Sequence, residues 1–403
     1  MSSGGEPNRR EFLSRSVRAV AAAVATQHLL PVSSAAESAS ETQPGSSAPG
    51  DPLPDDERVG FALVGLGRLS VQQLIPAFRV SKRAKLAALV SGDLAKAQKL
   101  ASDNGLSADA VYDYKNFDRL RENKDVRVVW VVLPNSMHSE FTVRAARAGK
   151  HVLCEKPMEV SVAKCQQMID ACKKADVKLM IGYRIQYEPM NRAMQRVVRE
   201  QAFGPAKFID ASFSMKLTTP EWRVSKALSG SGAVGDIGIY CINTIRFLLG
   251  EEPIEIHAQS FRPADNPLFK EVDATTTWQM RFPSGVLANC MCSYDAGGCA
   301  MYRVVADRGT FGMDPAFPYS GLKMWGKPEQ PPLPQIAETD HFANELDHMA
   351  DCVLQNRQPY TPGEEGLQDM RIIEAVLESA QTGRSVKLPK HNKLDAFRGP
   401  APW

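Results

Sequence analysis

A short, mostly apolar run, Val59–Val64, leads straight into Gly65-Leu66-Gly67-Arg68-Leu69-Ser70. Apolar residues then recur at Val71, Leu74, Ile75 and Phe78, and this i, i+3, i+4, i+7 spacing predicts a helix face. Strand, glycine turn and helix form the setting of a dinucleotide fingerprint. Glycines let the backbone turn tightly and approach a pyrophosphate, whose charge sits at the helix N-terminus. Ser70 stands where a third glycine is usual, and it is small enough to leave the helix close to the strand. The glycines alone are a weak signal; their flanks make it a strong one.

A second strand, Leu86–Val90, ends at Ser91-Gly92-Asp93, with Lys96 one helical turn on. NAD binders place a carboxylate at this strand end, where it accepts from the ribose 2′-hydroxyl. Ser91 and Lys96 instead suit a 2′-phosphate, so NADP is the expected cofactor. The competing readings are Asp93 as a ribose ligand and Lys96 as a solvated lysine.

Val126–Leu133 is nearly continuous in apolar residues, as in the buried middle of a parallel sheet, and ends in Pro134-Asn135-Ser136-Met137-His138. His151–Cys154 ends in Glu155-Lys156-Pro157, and Lys178–Ile181 in Gly182-Tyr183-Arg184. Three strands thus deliver polar residues to the edge where such sheets bind ligands.

Beyond residue 185 a helix is expected over Pro189–Glu200, then alternating segments at Ala206–Met215, Ile254–Phe261, Asp273–Phe282 and Val286–Tyr294. The last two flank Pro283-Ser284-Gly285 as a hairpin, giving a mostly antiparallel sheet of four or more strands. Thr361-Pro362-Gly363-Glu364 has the form of a capping box opening a helix. Gly230–Tyr240 is a glycine-rich stretch leading to Asp236 and Tyr240, four apart and so on one helix face. A capping aspartate and a core tyrosine would look the same.

The 403 residues are 43% hydrophobic and 23% charged, with a net charge of +2. That balance gives no reason to expect nucleic acid as partner. No run of about 18 uncharged apolar residues argues for an integral membrane protein. The eight cysteines form no CxxC pair and no zinc spacing, so neither a disulfide framework nor a metal site is expected. Arg9-Arg10-Glu11-Phe12-Leu13, a mildly apolar stretch and Ser33-Ser34-Ala35-Ala36 resemble a twin-arginine export signal. The expected organisation is a signal over 1–36, a Pro/Ser-rich arm outside the fold over 37–58, a nucleotide-binding domain over 59–184, a second domain over 185–390 and a tail over 391–403. The expected location is the periplasm, with no membrane association after export.

Taken in order, GLG, LPNSMH, CEKP, MIGYR, EWR, GDIGIY, LLGEEPIE, WQMRF and PGEEG resemble the glucose–fructose oxidoreductase/inositol dehydrogenase (Gfo/Idh/MocA) superfamily, and most of all its glucose–fructose oxidoreductase branch. The resemblance spans residues 59 to 388. It implies an α/β Rossmann domain followed by an α+β domain with a large, mostly antiparallel open sheet, through which subunits form a homo-oligomer (dimer or tetramer). It further implies Lys156, Asp236 and Tyr240 as catalytic residues. Cofactor contacts would come from Gly65, Leu66, Gly67, Ser91, Gly92, Lys96, Asn135, His138, Glu155, Lys156, Arg184, Trp222 and Arg223. The sequence departs from the family at Arg68-Leu69-Ser70, at Gly235, and at Asp295–Cys299, which replaces a Ser/Thr-rich loop.

The implied reaction is oxidation of a glucose-like aldose to its lactone, coupled to reduction of a fructose-like ketose by a ping-pong route on tightly bound NADP. A tyrosine, with an ordinary pKa of about 10, acts as base near neutrality only if a cation favours its phenolate, and Lys156 is placed to do so. Two other readings stay open: an NADP-dependent aldose 1-dehydrogenase with exchangeable cofactor, and a non-catalytic sugar or nucleotide sensor.

Overall fold

Strands without a polar face need cover on both sides. β1 (Val59–Val64) is buried throughout and β4 (Val126–Val131) at every position but one. In the computed structural model, which describes residues 51–328 and 331–390, they form the centre of a six-stranded parallel sheet. β2 (Ala84–Val90), β3 (Val111–Tyr112), β5 (His151–Glu155) and β6 (Leu179–Gly182) complete it in the order β3-β2-β1-β4-β5-β6. Strand order reverses between β1 and β4, so a crevice opens there at the carboxyl ends. A π-type turn, Ser70–Leu74, runs into α1 (Ile75–Val80), and Leu74, Ile75 and Phe78 are buried as their spacing predicts. α2 (Leu94–Asp103), α3 (His138–Arg147) and α4 (Val162–Lys174) are the next helices along the chain.

After α5 (Pro189–Arg199) comes β7 (Ala206–Lys216), then α6 (Lys226–Ser229) and α7 (Ile239–Leu249). β8 (Glu255–Phe261), β9 (Thr275–Arg281), β10 (Leu287–Ser293), β11 (Asp295–Ala306), β12 (Thr310–Met313) and β13 (Met324–Lys327) follow. With β14 (Val386–Lys387) they make an eight-stranded sheet, order β13-β12-β11-β7-β10-β9-β8-β14, antiparallel except where β7 meets β10. β9 shows the period of two: Thr276, Trp278 and Met280 are buried, Thr277, Gln279 and Arg281 exposed. Asp295–Cys299, expected as a loop, is instead the start of β11, where the register with β7 slips between Asp295 and Cys299. Residues Lys226–Leu249 are long and apolar enough to cross a membrane, but 89% of that window is buried inside the fold. All eight cysteines are free thiols.

Two helices close the chain. α8 (His341–Leu354) returns to the first sheet, packing Phe342, Leu346, Met349 and Val353 with Leu63, Leu74, Phe78 and Trp130. Its Asp347 accepts from Ser81 Oγ at 2.6 Å and from the amides of Lys82 and Arg83 at 2.9 and 2.8 Å. α9 (Gly363–Thr382) lies against β8, α4 and α7. Arg246 of α7 is wholly buried and pairs with Glu252 at 2.7 Å, Glu365 at 3.1 Å and Asp369. The expected capping box is not formed. Thr361 Oγ1 instead donates to the Ile181 carbonyl at 2.7 Å and meets Tyr187 OH at 2.9 Å, because a buried hydroxyl at the β6 edge is satisfied there and not at the helix end.

The end of the N-terminal arm joins the fold rather than standing outside it. Leu53 N donates to Lys82 O at 2.9 Å, and Lys85 Nζ to Asp55 O at 2.7 Å. These contacts lie at the start of β2, away from the ligand edge. The export signal, residues 37–50 of the arm and the tail over 391–403 lie outside the described residues.

Candidate active site

The two glycines of the turn differ in what they require. Gly65 has φ +91°, and an added Cβ would lie 2.2 Å from Val132 O, so only glycine fits. A Cβ at Gly67 would meet no protein atom within 4 Å. Its smallness therefore serves a group approaching from outside the chain, as a pyrophosphate does. Lys96 Nζ donates to Leu66 O, holding a cation over the turn, and Ser91 is 5% exposed. Asp93 caps α2, accepting from Lys96 N at 3.0 Å. Gly92 leaves 3.1 Å between a would-be Cβ and the Tyr114 ring. These residues fit a dinucleotide with a phosphate-bearing ribose: a backbone cradle, a hydroxyl and a lysine, with the nearby carboxylate engaged as a helix cap.

The other end of the crevice gathers charges from both sheets. Lys156, just past β5, donates from Nζ to Asp236 O at 2.8 Å and to Asp236 Oδ1 at 3.2 Å. Asp236 lies in a π-type turn, Val234–Gly238, directly before α7. Its Oδ2 accepts from Arg223 Nε and from Tyr294 OH, both at 2.7 Å. Burial alone would raise its pKa, but Lys156 and Arg223, with hydrogen bonds from Tyr294 and Arg223, hold the carboxyl well below the usual carboxylate range. Burial also opposes the charge on Lys156, yet Tyr240, Asp236 and Glu155 together keep it more basic than usual.

Tyr240 enters on α7 and is half-buried, its ring edge-on to Phe213 at 5.3 Å and tilted toward Phe317 at 5.6 Å. Lys156 Nζ and Arg184 Cζ each lie 4.9 Å from the ring centroid. Arg184 Nε also donates to Tyr240 OH at 3.0 Å. That guanidinium also lies 4.8 Å from the Tyr319 ring and donates to Phe317 O. A narrow cleft lies here, lined by Lys156, Gly182, Arg184, Tyr240, Asn243 and Thr244.

Asp236 and Tyr240, four apart in sequence, thus reach the same lysine. Arg223 is occupied by Asp236 and by Glu221 at 2.7 Å, with Trp222 beneath its guanidinium at 4.8 Å. Asn135 is 1% exposed and donates to Ser229 O at 2.9 Å, tying the β4 tip to α6. His138 is fully buried, its ring nitrogens 3.0 and 2.8 Å from Pro157 O and Leu133 O, so it braces the β4 and β5 tips. Glu155 is 7% exposed; burial pushes its carboxyl up to about 7 against the pull of Lys156 and Arg184. Sequence reasoning missed Tyr294, Phe317 and Tyr319. They come from strand ends and loops 58 to 135 residues from the groups they contact, and no local spacing marks them.

Comparison with known proteins agrees with this geometry. Residues 59–183 match the model of an oxidoreductase family with an NAD-binding Rossmann fold, and residues 191–312 match the GFO/IDH/MocA C-terminal domain. The chain is 30% identical to a D-xylose 1-dehydrogenase [NADP(+)] of Haloarcula marismortui, covering 83% of this chain and 94% of the relative. It is 28% identical to D-xylose 1-dehydrogenase (NADP(+)) 2 of Haloferax volcanii, covering 81% and 99%. The crystal structure of an aldose–aldose oxidoreductase from Caulobacter crescentus, complexed with glycerol, is 41% identical. It covers 82% of this chain and all of that one, with a TM-score of 0.79.

Proposed function

The chain belongs to the GFO/IDH/MocA oxidoreductase family, and from that premise we propose that it is an NADP-dependent sugar oxidoreductase. It oxidises an aldose at the anomeric carbon to a lactone and reduces a second sugar carbonyl on the same cofactor. The observation that carries this reading is the phenol of Tyr240, addressed by Lys156 and Arg184 from just past β5 and β6.

NADP held by Gly65, Gly67, Ser91 and Lys96 would supply the hydride acceptor and donor. The chain's own residues manage the proton. Tyr240, beside Lys156 and Arg184, takes the proton of the anomeric hydroxyl as the carbonyl forms. In the return direction the neutral phenol gives that proton to the oxygen of the second sugar. Asp236, held ionised by Lys156 and Arg223, fixes the Lys156 ammonium beneath the ring and offers an acceptor to a sugar hydroxyl. The named relatives support aldose oxidation at C1. The aldose–aldose oxidoreductase supports a second sugar as acceptor, either an aldose or a fructose-like ketose.

The xylose dehydrogenases favour a second reading, an aldose 1-dehydrogenase that exchanges its cofactor. One experiment separates them. Protein purified without supplement should carry NADP, be reduced by glucose or xylose alone, and be reoxidised by fructose or a second aldose, with ping-pong kinetics. A cofactor-free preparation that turns over only with added NADP supports exchange.

Retained cofactor agrees with twin-arginine export of the folded protein to the periplasm, directed by Arg9 and Arg10. We further propose a homo-oligomer built on the open face of the second sheet, where Phe261 is 63% and Leu287 51% exposed. Light scattering after chromatography tests the assembly.

A further inference from the structure

Residues 221–236, between β7 and α7, touch three successive strand tips of the first sheet. Glu221 Oε2 accepts from Arg68 Nη2, in the glycine turn after β1, at 3.3 Å. The Ser229 carbonyl accepts from Asn135 Nδ2, past β4, at 2.9 Å, and the Asp236 carbonyl from Lys156 Nζ, past β5, at 2.8 Å. The crevice of the sheet opens between β1 and β4. One contact therefore stands on its β1 side and the other two on its β4 side. The two sides differ in strength. Asn135 and Asp236 are buried, so breaking their bonds would leave polar groups without partner or water. The Arg68 side chain is 76% exposed, and an exposed ion pair opens at little cost.

Glu221 does not depend on Arg68 for its place. Its Oε2 also accepts from Arg223 Nη1 at 2.7 Å, and Arg223 Nε donates to Asp236 Oδ2 at 2.7 Å. Charges thus alternate from Arg68 through Glu221, Arg223 and Asp236 to Lys156, and the carboxylate that Arg68 meets stays anchored when the arginine lets go. Arg68 directly follows Gly67, whose open Cβ side fits a pyrophosphate. We infer that residues 221–236 are a strap over the dinucleotide crevice, with Arg68 and Glu221 as its releasable clasp, and that this pair sets how fast the dinucleotide leaves. Neither residue touches the reacting atoms; both act on retention. A closed clasp favours a cofactor that stays bound between half-reactions, and an open one favours exchange.

The inference rests on the dinucleotide site proposed above, and its test keeps the two ideas apart. Full-length protein is loaded with NADPH, and release is followed by fluorescence after mixing with excess NADP, with no sugar present. Arg68→Gln and Glu221→Gln should each speed release about two- to fivefold, the range an exposed ion pair supports. The double variant should be no faster than the faster single one, because both substitutions break the same contact. Salt at about 1 M screens exposed charges, so the gap between wild type and variants should close there. Tm of the cofactor-free protein should hold in all three variants, since the pair lies at the surface. Release that is unchanged in both single variants, faster in only one of them, or additive in the double variant overturns the clasp. So does a gap that persists in salt, or a fall in Tm that accompanies faster release. Wild-type protein that binds no NADPH overturns the dinucleotide site itself, and the clasp with it.

Discussion

Arg184 gives its Nε hydrogen to the phenol oxygen of Tyr240 at 3.0 Å. The resemblance placed Arg184 among the cofactor contacts; here the guanidinium carbon lies 4.9 Å from the Tyr240 ring and 4.8 Å from the Tyr319 ring. Two cations therefore act on one phenol. Arg184→Lys keeps a charge but loses the planar fork. It should lower kcat of aldose oxidation at neutrality by about tenfold or more. A kcat like the wild type would return Arg184 to a packing role.

Tyr240→Phe retains the packing against Phe213 and Phe317 but has no proton to exchange. Turnover should fall by about 10²-fold or more with Tm nearly unchanged. Stopped-flow reduction of bound cofactor by aldose measures the loss directly.

The glycine turn allows binding to be separated from folding. Gly65→Ala forces a Cβ against Val132 O at a positive φ and should destabilise the fold. Gly67→Ala adds a methyl group that touches no protein atom, so Tm should hold while retained NADP falls. Thermal melts and cofactor content of the two variants give the comparison.

Ser91→Asp sets a carboxylate where the 2′-phosphate is expected. Like-charge repulsion at short range is worth about one to a few kcal/mol, so the NADP/NAD affinity ratio should drop at least several-fold. An unchanged ratio would remove Ser91 from the phosphate site.

Arg246 is wholly buried among Glu252, Glu365 and Asp369. Arg246→Met leaves three acidic groups without their cation and should cost about 3–5 kcal/mol. The loss should shrink as pH falls. Burial raises the Asp369 carboxyl to about 6, so acid neutralises the stranded charge. Denaturant titrations at neutral pH and pH 5 test both parts.

What the sequence disclosed was whatever local spacing encodes. The strand–GLG–helix unit, the polar strand tips and the Asp236/Tyr240 pair each occupy a few consecutive residues, and each is where its pattern placed it. The partners of those residues were not legible. Tyr294 reaches Asp236 across 58 positions and Arg184 reaches Tyr240 across 56, so only the folded chain brings them together. Asp295–Cys299 read as a loop because the resemblance sets a Ser/Thr-rich loop there; in the fold Asp295 and Cys299 pair with β7 across a register slip. Thr361 read as a cap, since nothing local shows that β6 lies beside it.

The return of α8 to the first sheet bears on how the protein can be dissected. A fragment ending near residue 184 would keep all six parallel strands yet uncover Leu63, Leu74, Phe78 and Trp130. It would also lose the carboxylate of Asp347, which ties down the turn at Ser81–Arg83. The complementary fragment would carry α8 with its apolar stripe facing solvent. The nucleotide-binding half is thus completed only by residues synthesised some 160 positions later, and a nascent chain must hold that face open, or have it shielded, until α8 arrives.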